Sequence, residues 1–312
     1  MTMLDTKTRP TMSFSPLRYP GGKGKLARFM IDLIRLNDLE DGTYVEPYAG
    51  GAAIAWELLL KGIVRNVEVN DISPPVFAFW DAVINHTETL CRTITDTPID
   101  IEQWNRAKTV YNNPEKFSSS ELGFAFFFLN RTNRSGVLNG GVIGGKEQGG
   151  RYKIDARFNK VDLIRRISNI ALKRNRIRIS NLDAMNFIQE RSFFWDRTSL
   201  IYLDPPYYDK GQSLYLNAYK PNDHINVASS IIDLRMKNWI VSYDDVRPIH
   251  DLYGMAAKLQ YTLNYSAHRK ERGQEVMFFS ESLNVPYMVP PLVEIRRTNL
   301  QPCTLPKFDP PQ

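Results

Sequence analysis

Cysteine is nearly absent from this chain: Cys91 and Cys303 lie far apart and outside any CxxC pattern, which excludes a disulfide scaffold. Histidine is almost as rare. His86, His224, His250 and His268 form no ligand-spaced set with those cysteines, so a catalytic zinc is not expected. Long apolar runs are missing too. A bilayer span needs ~18–20 residues, whereas the longest uninterrupted run worth testing is Phe124 to Leu129. The opening MTMLDTKTRPTMS lacks the apolar core of a signal peptide, and a reducing cytoplasm is the expected compartment. What is present suits a soluble globular protein: 312 residues, 43% hydrophobic and 24% charged, enough for one large domain or two ordinary ones.

Charge of one sign is scarce overall, because 40 Lys+Arg face 34 Asp+Glu, and a surplus of +6 says little about partners. Its distribution says more. From Arg151 to Arg178 ten basic residues stand against Asp155 and Asp162, so the rest of the chain is slightly acidic. A polyanion-binding face would need such a local surplus, and a solvated helix face explains it equally well on charge alone.

The pattern predicts a doubly wound α/β domain with a mainly helical insertion. Leu26, Phe29, Met30, Leu33 and Ile34 form one helical stripe. A short strand from Thr43 runs into Ala49-Gly50-Gly51, a helix follows from Ala52 to Lys61 with Gly62 as its cap, and Asn66 to Asp71 is a second strand. Pro74 opens the next helix. Between about 81 and 175 no buried strand is expected; helices over 100–111 and 120–131 are followed by seven glycines between Gly136 and Gly150. Strands resume at Ile177, Ser199 and Trp239, and Lys258–Ser266 with Glu275–Ser280 suggests an antiparallel hairpin at the sheet edge. After Val285 the tail holds seven of the 19 prolines and reads as extended or loosely ordered. The expected units are therefore 14–80 with 176–285, an insertion at 81–175, and a proline-rich tail at 286–312.

Four motifs sit where such a fold places its ligands, at the carboxyl ends of strands. Asp204-Pro205-Pro206-Tyr207 combines a carboxylate, a backbone stripped of two amide donors and an aromatic ring, which suits a flat substrate carrying an exocyclic amine. Glu46-Pro-Tyr-Ala-Gly-Gly51 lets the backbone approach a ligand at a helix N-terminus, though it is not the GxGxxG dinucleotide fingerprint. Asp71 closes the second strand, either gripping ribose hydroxyls or capping the next helix. In Arg18-Tyr-Pro-Gly-Gly-Lys23 the lysine meets a carboxylate or phosphate, or covers a helix stem; Asn181-Leu-Asp183 is equally open to an N-cap reading. Gly140 to Lys146 mimics GxxxxGK, but Glu147 replaces the Ser/Thr of a P-loop and no apolar strand precedes it.

In combination, RYPGGK, VEPYAGG, VNDIS, FLNRT with its glycine loop, LDPPYY and YSAHRKERGQEVMFF resemble the Dam-type class of DNA N6-adenine methyltransferases over roughly 17–280. The resemblance implies a Rossmann-like methyltransferase sheet, mostly parallel with an antiparallel edge hairpin, and S-adenosylmethionine as cofactor. It places Tyr19, Gly22 and Lys23 at the cofactor's methionine part, and Glu46, Pro47 and Gly50 along the cofactor turn. It sets Asp71 at the ribose and Asp183 by the adenine, and it gives the target base to Asp204, Pro205, Pro206 and Tyr207. The insertion becomes a recognition domain, with DNA contacts expected from Arg131, Asn133, Arg134, Arg151, Lys153, Arg165 and Arg166. The implied partner is double-stranded DNA, without metal or membrane, met by a monomer in a bacterial or phage-infected cell, with a companion restriction enzyme left open. GATC-specific members carry an FNVPFG-like stretch where this chain has GVLNGGVIGG, which leaves the recognition sequence open. Cytosine N4 or RNA adenine as methyl acceptor, and a silent DNA-binding protein on the same fold, are the alternatives.

Overall fold

The computed structural model describes residues 14–18, 23–209, 219–232, 237–263 and 273–300. Among them eight strands form one sheet: β1 (Thr43–Glu46), β2 (Asn66–Asn70), β3 (Ile177–Ser180), β4 (Leu200–Leu203), β5 (Asn238–Asp244), β6 (Ala257–Leu263), β7 (Gly273–Phe279) and β8 (Leu292–Thr298). They lie in the order β3-β2-β1-β4-β5-β7-β6-β8, parallel from β3 to β5 and antiparallel beyond. Strand order reverses between β1 and β4, and open α/β sheets bind ligands outside the carboxyl ends at such a point. The pairing of Tyr44 with Leu200 and Val45 with Ile201 brings Glu46 and Asp204 to this crevice together.

Ten α-helices are described: α1 (Ala27–Leu36), α2 (Ala53–Leu60), α3 (Pro74–Asn85), α4 (Thr87–Asp96), α5 (Ile101–Asn112), α6 (Ser119–Thr132), α7 (Lys160–Ala171), α8 (Ala184–Arg191), α9 (Pro221–Ile232) and α10 (Arg247–Tyr253). Local chemistry sets their starts. Pro74 occupies the first turn of α3, Asp100 caps α5, Asn159 caps α7, and Ser118 with Glu121 forms a reciprocal capping box on α6. The stripe read on α1 is buried as expected. No helix among the described residues is long and apolar enough to cross a membrane. The run from Phe124 to Leu129 is instead wholly buried within α6.

Between β2 and β3 the described chain forms helices, turns and loops, with no strand beyond one isolated bridge, Asn133 to Val142. Position 81 falls inside α3, so a single helix carries the chain from sheet to insertion. The two share one apolar core, with Tyr44 and Leu200 of the sheet in the same cluster as Trp104, Phe127 and Phe158. Helices α3 and α6 cross so closely that a Cβ on Gly123 would lie 2.6 Å from the Ala78 carbonyl oxygen, which only glycine avoids.

The carboxyl-terminal region departs from the sequence expectation. The β6–β7 hairpin forms, but β7 enters between β5 and β6, and the edge beyond β6 is taken by β8, a strand from the proline-rich tail. Prolines 286, 290 and 291 precede β8 without interrupting it, and Leu292-Val-Glu-Ile-Arg-Arg-Thr298 has the β-branched composition of an edge strand.

Candidate active site

Five parallel strands deliver their last residues to one crevice, and the loops there are tied by buried polar groups. Asn70, at the end of β2, is 1% exposed; its amide donates to the carbonyls of Pro47 and Leu182, each at 3.0 Å, and accepts from the Leu182 amide. One side chain thus fixes the turns after β1 and β3. Gly50 has φ +45°, a left-handed conformation suited to glycine, and its carbonyl accepts from the Trp80 indole at 2.9 Å.

Ser73, not Asp71, is the N-cap residue of α3, and Asp71 is instead tied to the backbone on both sides of the crevice. Its Oδ2 accepts from the Gly50 amide at 2.8 Å and its Oδ1 from the Ser73 amide at 2.9 Å, so it shapes the glycine turn and the entry to α3. Each oxygen keeps a second lone pair for a ligand hydroxyl. Asp183 caps α8 through the Met185 and Asn186 amides. Tyr48, inside the glycine turn, shares a hydrogen bond of 3.0 Å with Tyr219 beside the start of α9. Tyr19 and Gly22 lie outside the described residues.

Glu46 is buried, and burial foremost pushes its pKa up to about 8, partly offset by Tyr44 and the Ala55 amide. The folded protein therefore holds Glu46 protonated at neutral pH while the unfolded chain ionises it, which weakens the fold as pH rises towards 8. Glu46→Gln should accordingly melt higher than the wild type at about pH 8, with the difference vanishing near about pH 4, where both chains carry a neutral group. Thermal unfolding across that range checks this.

Around Asp204 the structure assembles a denser set than sequence suggested. Ser242 Oγ donates to Asp204 Oδ1 at 2.7 Å and is itself held by the Tyr202 hydroxyl at 2.8 Å. The Lys23 ammonium, 7% exposed, lies 3.4 Å from Asp204 Oδ1 and 2.7 Å from Glu275 Oε2, and donates to the Tyr207 hydroxyl as well. Tyr207 donates to Glu275 Oε1 at 2.9 Å and Tyr261 to Oε2 at 2.6 Å. Lys23 thus meets carboxylates of the DPPY region, one of the roles its sequence context allowed. Burial foremost raises the Asp204 pKa, and the Lys23 charge opposes that rise. For Lys23, burial would depress the pKa, but Asp204 and Glu275 outweigh it and the net direction is up.

Two acids that sequence reasoning passed over complete the site. Asp244 pairs with Glu275 across β5 and β7, and Glu275 pairs with Tyr261 across β7 and β6, so one row of the sheet supports the motif. Asp244 accepts from the amides of Tyr208 and Asp209, each at 2.9 Å, while Glu275 grips the Tyr207 hydroxyl. Their signal in the sequence is an acid at one end of, or within, a largely apolar strand, NWIVSYD and GQEVMFF.

The residues expected to meet DNA fall into two groups. Arg134, Arg151, Lys153 and Arg165 are exposed. Asn133 is fully buried: its amide donates to the carbonyls of Val137 and Leu138 and its oxygen accepts from the Trp104 indole, so it builds the start of the glycine-rich loop from inside. Arg131 gives its guanidinium to the carbonyls of Arg157 and Pro16, and burial foremost pushes its pKa down to about 9. Arg166 donates to the Ser15 carbonyl and pairs with Asp162. Asn130, next to Arg131 on α6, clasps both backbone groups of Arg18, fastening the segment ahead of Lys23 to that helix. Among the described residues no group of three or more His, Cys, Asp and Glu could hold a metal ion.

A family model described as D12 class N6 adenine-specific DNA methyltransferase matches residues 19–270. The chain is 24% identical over 221 residues to the type II methyltransferase M.MjaIII of Methanocaldococcus jannaschii, covering 66% of this chain and 73% of that relative. Among solved structures it is similar to the rRNA methyltransferase aviRa of Streptomyces viridochromogenes, at 12% identity and a TM-score of 0.38 over 85% of this chain and 86% of that one.

Proposed function

We propose, because the chain belongs to the D12 class N6 adenine-specific DNA methyltransferase family, that it moves a methyl group from S-adenosylmethionine to N6 of an adenine flipped out of double-stranded DNA. The observation that carries this reading is the asymmetry of Asp204. Its Oδ1 is occupied by Ser242 and faces Lys23, while Oδ2 takes no hydrogen bond among the described residues and the side chain is 21% exposed. A carboxylate fixed on one side and open on the other suits an exocyclic amine, with the Pro205 carbonyl as second acceptor.

The residues at the ends of β1, β2 and β3 fit the cofactor. Gly50 offers close backbone approach, Asp71 retains acceptor capacity for ribose hydroxyls, and Ile72, 49% exposed beside it, offers an apolar face to a purine. S-adenosylmethionine supplies a methyl group already activated by its sulfonium charge. The protein therefore contributes mainly orientation and electrostatics. Hydrogen bonds to Asp204 and Pro205 localise the amine lone pair, which is otherwise delocalised into the ring. Flipping costs about a few kcal/mol, and an aromatic contact from Tyr207 would return roughly 1–3 kcal/mol.

Duplex DNA incubated with methyl-labelled S-adenosylmethionine and digested to nucleosides should yield label in N6-methyladenine. Label in N4-methylcytosine, transfer only to RNA, or no transfer would overturn the reading. For the DNA face, replacing exposed Arg134 and Arg151 with alanine should weaken binding and reduce the slope of log K against log salt by about 0.9 per lost phosphate contact. Arg131→Ala should instead cost about 1–3 kcal/mol of stability, because two backbone carbonyls lose their donor. Salt titrations and urea unfolding separate the two effects.

A further inference from the structure

We propose that Arg18 and Arg157 form a clamp for one phosphate of the DNA backbone, placed where the inserted helices meet the segment that leads to Lys23. This rests on the reading of double-stranded DNA as the substrate. Both arginines are posted by their backbones. Asn130 of α6 accepts from the Arg18 amide at 2.8 Å and donates to the Arg18 carbonyl at 2.7 Å, while the guanidinium spends one of its five N–H groups on the Asn133 carbonyl at 3.0 Å. The other N–H groups have no partner among the described residues. Arg157 is exposed, and its side chain makes no hydrogen bond or ion pair among the described residues. Its carbonyl is gripped by Arg131, from Nε at 2.7 Å and from Nη2 as well, and Nη1 of Arg131 reaches the Pro16 carbonyl at 3.4 Å. One guanidinium thus ties the two arginine-bearing segments together. Buried Phe158 anchors the next position, 5.4 Å from both Phe127 and Phe128 of α6.

The free protein holds these like charges against their repulsion. Burial foremost, then the charge of Arg157, lowers the Arg18 pKa, and after burial the charges of Arg18, Arg166 and Arg157 all lower that of Arg131. Of the acids between Arg151 and Arg178, Asp162 is engaged by Arg165 and Arg166 at 2.6 and 2.7 Å, and exposed Asp155 pairs with no cation among the described residues. An anion between Arg18 and Arg157 relieves the repulsion. A phosphodiester fits this place, because its two non-bridging oxygens accept from planar guanidinium forks, and with both backbones already held little ordering opposes the contact. Such a contact carries no base information. It fixes the register of the duplex against the insertion and the crevice together.

Arg157→Ala removes a side chain without contacts, so its urea midpoint should match the wild type, while its affinity for a short random-sequence duplex should fall about tenfold or more, as for losing a hydrogen bond to a charged group. In the double variant Arg18→Ala/Arg157→Ala the slope of log K against log salt should lessen by about 0.9, the value for one shared phosphate, and not by about 1.8 as two separate contacts would give. On a duplex carrying the sequence found methylated, replacing backbone phosphates one at a time with uncharged methylphosphonate should weaken wild-type binding most at one position. The double variant should be indifferent to that replacement. Binding of S-adenosylmethionine alone, measured by calorimetry, should be equal in all three proteins. Unchanged salt dependence in the double variant, or methylphosphonate and mutational losses that add at every position, would overturn the clamp. So would a loss of S-adenosylmethionine affinity, which assigns the arginines to the cofactor carboxylate. Equal duplex binding by both proteins, with inorganic phosphate bound by the wild type alone, would assign them to a free anion and overturn it too. A wild type that binds duplex with this salt dependence yet transfers no label would count instead against the proposed function.

Discussion

Replacing Asp204 with alanine should lower the single-turnover rate of methyl transfer by about 10²–10³-fold, the range seen when one preorganised polar contact to a developing charge is removed. The substitution deletes the acceptor for the amine and leaves Lys23 facing Glu275 alone, so the loss falls on the chemical step. The residues proposed to hold the cofactor after β1 and β2 are separate from it: Asp71 is held by Gly50 and Ser73, and the turns there are joined by Asn70. Binding of S-adenosylmethionine, measured by calorimetry, should therefore change little. The wild-type pH profile carries a second expectation. Because burial foremost raises the Asp204 pKa, the carboxylate protonates at a pH above the ordinary range for an aspartate. The rate should fall as pH drops through that raised value, and Asp204→Ala should lose this limb.

Phe127→Ala should destabilise the protein by about 3–5 kcal/mol, the cost of emptying a buried aromatic site that cannot collapse. Phe127 is fully buried on α6, stacked on Phe79 at 5.2 Å and in edge contact with Phe158 at 5.4 Å. It thus joins α3, α6 and the segment ahead of α7. Since the cluster containing Phe127 also includes Tyr44 and Leu200, the loss should reach the sheet. Urea unfolding followed by far-ultraviolet circular dichroism and by tryptophan fluorescence should show one transition at a lower midpoint, coincident for both probes. Two separated transitions would mean that sheet and insertion unfold independently.

The parts of this protein legible from sequence are those where local chemistry and tertiary demand agree. Pro74, Asp100 and Gly62 punctuate the chain where the helices begin and end. The apolar strands at 43, 66, 199 and 239 carry their acids and glycines to the crevice because parallel strands in such a sheet end on one side. Long-range pairing was less visible. Nothing local in GQEVMFF says that β7 enters between β5 and β6, so the support that Glu275 and Asp244 give to DPPYY emerges only with the register. In the tail, proline count masked the alternation of Leu292 to Thr298. Asn133 and Arg131 misled for another reason. Polar side chains beside a glycine-rich loop look like ligands, yet Asn133 is spent on carbonyls of that loop and Arg131, on the last turn of α6, on the carbonyls of Arg157 and Pro16.

The central claim, that Asp204 presents an adenine amine for methylation at a specific site in DNA, is tested most directly on DNA from a host lacking other adenine methyltransferases. Mapping modified bases after expression of this protein should show N6-methyladenine recurring in one short sequence, and none from the Asp204→Ala variant. Unmodified DNA from cells making the folded wild type, or equal modification by both proteins, would contradict the account.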